Sequence, residues 1–232
     1  MITVKIFWCL LNPNLPIYNR KTESQIQKKL ADDYERMITC YHEAGHALAG
    51  LLCYFKITDV TITRDKKIHG ETIYHSMNTI YQITDPALLS YLIRGEIYIS
   101  YAGLASEKIF YKKSSGSAKF PMVLKDGSSL DIAGASEIIT KYNLSPAGKK
   151  RYSFKKKMFN ETTKYLECHW QSVVLLAHAL FKNKTLSFYD LKYILTKRSE
   201  HKIFWTRQFK VITKLYRKEN LTENLIKSYL KM

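Results

Sequence analysis

A chain of 232 residues with 46% apolar and 13% aromatic residues can bury a core of its own, which excludes a disordered or low-complexity protein. Its net charge of +17 at pH 7 can attract phosphate polyanions, anionic lipid or acidic protein, and its plainer reading is solvated basic faces. The four cysteines (Cys9, Cys40, Cys53, Cys168) show no paired spacing, so reduced thiols of an intracellular protein are expected rather than a disulfide framework.

The first 16 residues, MITVKIFWCLLNPNLP, begin apolar, but Asn12, Pro13 and Pro16 cut the run short. A bilayer span needs roughly 20 apolar residues, and no small-residue cleavage site of a signal peptide follows. The expectation is a soluble, cytoplasmic protein with at most a membrane-surface contact through Phe7, Trp8 and Leu10. Residues 1–30 read as an irregular lead-in. From Ala31 onward Tyr34, Met37, Ile38, Tyr41, Ala44, Leu48, Leu51 and Leu52 recur at helical spacing, with Asp32 and Asp33 at the expected start. ITDVTIT (57–63) and ETIYHS (71–76) alternate as strands around the turn KKIHG, which predicts a hairpin.

A second helix is predicted over 85–111, with small residues at 102, 103, 105 and 106 that let another helix approach closely. The Ser-, Gly- and Lys-rich stretch 112–129 reads as a mobile loop, residues 130–143 as a short helix, and 153–183 as one long amphipathic helix. Thr185 and Ser187 suit the capping of a further short helix. Residues 197–232 form a basic extension with ten Lys or Arg against three Glu. No P-loop motif occurs.

The chemistry concentrates in ITCYHEAGHALAGLL, residues 38–52, where His42, Glu43 and His46 read H-E-x-x-H. Residues four apart share a helix face, so His42 and His46 can offer two imidazoles to one ion. Glu43, rotated by about 100°, reaches a metal-bound water instead and can act as the general base when that water attacks a peptide carbonyl. A catalytic zinc wants three protein ligands and an open position. Ala49 and Leu52 occupy the places of the Gly and third His in the metzincin continuation, so the third ligand lies elsewhere. Glu96, Glu107 and Asp131 are all candidates, and spacing leaves the choice open.

YHEAGHALAG resembles the active-site helix of the FtsH-type ATP-dependent zinc metalloproteases, whose motif is H-E-A-G-H-A. YAGLASEKIFY resembles that family's small-residue helix, GSSLDIAGASEII is similar to its G-A-S-N-D-L-x-x-A-T-E-I-A, and 154–195 is similar to its long helix and the segment after it. The resemblance covers residues 31–196. It implies a mainly α FtsH-like zinc metallopeptidase domain, with a small β-hairpin beside the active-site helix. It implies one zinc per chain on His42, His46 and Asp131, with Glu43 as the catalytic base. It also implies that substrate binds along a strand, VTIT or GETIYH. Glu107 is expected to hydrogen-bond around the site without being a ligand. Cys40, His169 and His178 are expected to pack or face solvent, and His69 and His75 to lie at the hairpin surface.

The family's ATPase module and transmembrane helices have no counterpart in these residues, Leu104 stands where the family has Arg, and the loop at 112–126 is longer. The function expected is therefore ATP-independent, zinc-dependent cleavage of flexible or unfolded protein segments. Expected partners are the peptide substrate and either a homo-oligomer or an ATPase acting in trans. The rival is a binding or regulatory module that docks on a partner protein or nucleic acid through the 197–232 extension. There Phe204, Trp205, Phe209 and Tyr216 alternate with Lys and Arg, and an anionic membrane is a further candidate for the same charge.

Overall fold

A computed structural model describes residues 23–64, 68–76, 82–115, 129–217 and 221–231. Most of the lead-in, including Phe7, Trp8 and Leu10, and residues 65–67 and 116–128 lie outside the described residues; of the stretch 112–129 expected as a loop, residues 112–115 and 129 are helical. The fold is mainly helical with a small three-stranded antiparallel sheet.

Helix α1 (Glu23–Leu52) begins earlier than the apolar pattern predicts, so Asp32 and Asp33 lie within it rather than at its start. Its buried face carries Met37, Ile38, Tyr41, Ala44, Leu48 and Leu51. The helix ends where Tyr54 turns to positive φ and Phe55 N–H donates to the Gly50 carbonyl. The predicted hairpin follows as β1 (Lys56–Arg64) and β2 (Ile68–His75), with a register irregularity between Ile57 and Asp59. Helix α2 (Pro86–Ser115) starts on a proline, which suits a first turn, and Asp85 accepts from Leu88 N–H at 2.8 Å. Helix α3 is Ser129–Lys141, with Asp131 in its first turn.

The long helix expected over 153–183 is two helices, α4 (Lys149–Cys168) and α5 (Trp170–Asn183), broken at His169. Met158 of α4 belongs to a small core with Ile93, Ile97, Tyr101, Ala135 and Ile139, whereas Leu166 of α4 and Val173, Leu176 and Leu180 of α5 join the main core with α1. Strand β3 (Thr185–Ser187) pairs with Asp59–Thr61, giving the order β2-β1-β3. Ser187 and Asp190 then form a reciprocal capping box for α6 (Phe188–Arg198).

The extension folds back on the same core. Trp205, Phe209, Ile212 and Leu215 of α7 (Lys202–Leu215) are fully buried, and Gln208 donates to the carbonyls of Leu51 and Leu52 at the end of α1. Helix α8 (Glu223–Leu230) closes the chain, with Glu223 accepting from the backbone N–H groups of Thr84 and Asp85. No helix among the described residues is long and apolar enough to cross a membrane.

Candidate metal centre

Helices α1 and α2 cross so closely that a Cβ on Gly45 would run into Ser106 and the Ala102 carbonyl. At this crossing His42 and His46, one turn apart on α1, aim their Nε2 atoms at each other across 2.9 Å. Asp131, delivered by the first turn of α3, places Oδ2 at 3.0 Å from His42 Nε2 and 3.3 Å from His46 Nε2. Ligand atoms at the corners of a tetrahedron with 2.0–2.1 Å bonds stand about 3.3 Å apart, so these three nearly trace one face of such a site. This group could hold a metal ion.

Each imidazole is oriented from behind. His46 Nδ1–H donates to the Ile99 carbonyl at 2.7 Å, which leaves its Nε2 lone pair facing the centre, and His42 Nδ1 lies 2.6 Å from Glu107 Oε1. A carboxylate or carbonyl behind a ligating histidine fixes its tautomer and raises its basicity. Burial opposes a charge on His42, but hydrogen bonds to Asp131 and Glu107 and the nearby Glu43 carboxylate outweigh it and push its pKa up to about 10. Burial likewise opposes ionisation of Asp131, yet hydrogen bonds from His42 and His46 hold it well below the usual carboxylate range.

The third wall is glycine. A Cβ on Gly103 of α2 would lie within 3.0 Å of both His42 Nε2 and His46 Nε2, so only the missing side chain keeps the meeting point clear. Glu43 is buried beside it, its Oε2 accepting from Thr72 Oγ1 at 2.7 Å, and Gly70 of β2 leaves room for the carboxylate. A cleft of about 430 Å³ opens over these groups, bounded by α1, by residues 69–72 and Tyr74 of β2, by Ile99 and Ser100, and by Leu130.

The arrangement brings together His42, Glu43, His46 and Asp131, all of the residues singled out for catalysis or metal. Of the three carboxylates that spacing left open, Asp131 alone reaches both Nε2 atoms. Glu107 sits behind His42, and Glu96 hydrogen-bonds Ser76, its pKa raised by burial. Cys40 is buried, His69 and His75 are exposed, and His69 lines the cleft. His178 is exposed and His169 is half-buried, stacked on Phe204 at 5.2 Å. Sequence reasoning missed Thr72, the Ile99 carbonyl and the specific tasks of Gly70 and Gly103. Gly70 read as a turn residue, and Gly103 was one small residue among four. Neither protein-family models nor the curated proteins yield a match to this chain.

Proposed function

We propose that this chain is an FtsH-like, zinc-dependent endopeptidase that hydrolyses peptide bonds in flexible or unfolded protein segments without ATP. The convergence of His42, His46 and Asp131 on one point, with Glu43 beside it, carries this reading. Two neutral imidazoles and one carboxylate make a donor set that suits zinc and leaves one position open. Zinc bound there would polarise a substrate carbonyl and lower the pKa of water toward about 7. Glu43 accepts the proton of the attacking water and passes it to the leaving nitrogen. Thr72 holds its carboxylate on the cleft side for that transfer.

The sheet order supports a choice between the two strand segments considered for substrate. VTIT lies in β1, paired on both sides, whereas GETIYH lies in β2, at the sheet edge and next to Glu43. A peptide added to that edge is held through its backbone, which suits unfolded chains of varied sequence. The test is the Glu43→Gln variant on a fluorescent unfolded casein. Cleavage should fall by about 10²–10⁴-fold while about one zinc per chain is retained. Full activity in that variant, or chelator-insensitive cleavage by the wild type, would overturn the reading.

A further inference from the structure

Between Lys141 and Asn160 the chain carries seven Lys or Arg and no Asp or Glu. The fold lays them from the end of α3 along the first three turns of α4. Lys141, Lys149, Lys150, Lys156 and Lys157 are exposed. Arg151 donates to the Ser145 carbonyl and Thr140 Oγ1, and Lys155 to Ser136 Oγ, so neutral groups hold these two cations without cancelling them. Glu161 lies 4.0 Å from Lys157, but its carboxylate already takes the Tyr98 hydroxyl and Arg94.

Helix stability does not account for this charge. α4 starts at Gly148 with no side-chain cap and no acid in its first turn, and Lys149, Lys150 and Arg151 sit at the positive end of the helix dipole. Arg151 and Lys155 add a like-charge pair four residues apart. The outward stripe Lys149, Ser153, Lys156, Asn160, Lys164 is exposed along its length and, at 1.5 Å per residue, about 22 Å long. Lysines neutralise phosphates, and Ser and Asn hydrogen-bond to phosphate oxygens. Tyr152, 70% exposed, offers a ring face to unstacked bases. Met158, Thr162 and Leu166 of α4 are buried inside the protein, so α4 keeps no apolar face to sink into a bilayer.

We propose that the α3–α4 face binds single-stranded nucleic acid, with the phosphate backbone along Lys149–Lys164 and a base stacked on Tyr152. This surface is separate from the 197–232 extension, whose Trp205 and Phe209 are buried, and from the metal centre.

The experiment is fluorescence anisotropy of the full chain with a mixed-sequence single-stranded oligonucleotide at several salt concentrations. About five phosphates neutralised gives a log–log salt slope near −3.5, or roughly a hundredfold loss between about 50 and 200 mM salt. The triple variant Lys149→Glu/Lys156→Glu/Lys157→Glu should weaken binding at least about tenfold and flatten the slope by about 2. Tyr152→Ala should weaken it about tenfold with the slope kept. Circular dichroism melts establish that each variant is folded. Wild-type affinity in the folded triple variant overturns the proposal, and so does a larger loss from Arg207→Glu/Lys210→Glu on α7. Binding of wild type to phosphatidylserine-containing vesicles with none to the oligonucleotide overturns it as well.

Discussion

Two buried polar clusters in this molecule are of opposite character. Around Trp205 the hydrogen-bonded side chains are an indole and two hydroxyls, none of them charged. The indole N–H donates to Ser172 Oγ at 3.0 Å, Ser172 and Ser199 share a hydrogen bond at 3.1 Å, and His201 N–H donates to Ser199 Oγ. Around His42 the groups are ionisable, and two imidazole nitrogens and a carboxylate oxygen converge within 3.3 Å of one another. The first cluster is a chain of neutral hydrogen bonds, with His169 packed on the indole and its Nδ1 unpartnered. The second brings three ligand atoms to one point and could hold a metal ion.

Four substitutions sharpen this contrast. Gly103→Ala should empty the metal centre, since the new methyl group falls on the point where the ligands meet. On the zinc reading proposed above, elemental analysis should fall from about one zinc per chain to nearly none, and the melting temperature should no longer respond to a chelator. Full metallation of the Gly103→Ala variant would break the assignment of the centre. Trp205→Ala should act the other way. It removes a fully buried ring and costs about 3–5 kcal/mol in urea unfolding, yet the folded fraction keeps its metal. Coupled loss of metal would show that the two clusters are not independent.

Ser172→Ala is the smaller version of the same test. It leaves the Trp205 N–H without its acceptor, at a cost of about 1–3 kcal/mol. The weakest effect belongs to the exposed capping box at the start of α6, where hydrogen bonds from Ser187 lower the Asp190 pKa. A depressed carboxylate contributes stability above its unfolded pKa and loses it as pH falls through its folded pKa. Asp190→Asn should therefore cost a few tenths of a kcal/mol near neutrality and nothing in acid, read as converging urea midpoints for the two proteins.

How far the sequence carried the fold varied by element. The hairpin and the helices around His42, Gly103 and Asp131 were legible because each has a clear apolar period. Strand β3 was not, since three residues are too few to show a period and only the pairing with Asp59–Thr61 creates it. The break at His169 was equally hidden, as the local sequence holds neither Gly nor Pro. The aromatic and basic pattern after residue 197 fitted a nucleic-acid binder and an amphipathic docking helix equally well. In the fold Trp205 and Phe209 turn into the core, and Lys202, Arg207, Lys210 and Lys214 stay exposed.

By itself the sequence determined that His42 and His46 share one helix face with Glu43 a step away, because four-residue spacing on a helix is local geometry. The family resemblance already pointed to Asp131 as the third ligand and to Glu107 as a neighbour of the site. Only the tertiary structure brings Asp131, and neither Glu96 nor Glu107, to both Nε2 atoms, sets Glu107 behind His42 across a separation of 65 residues, and leaves a gap in the wall at Gly103. Such partners share no period or spacing in the chain, and what brings them together is the close crossing of α1 and α2 and the docking of α3 beside it.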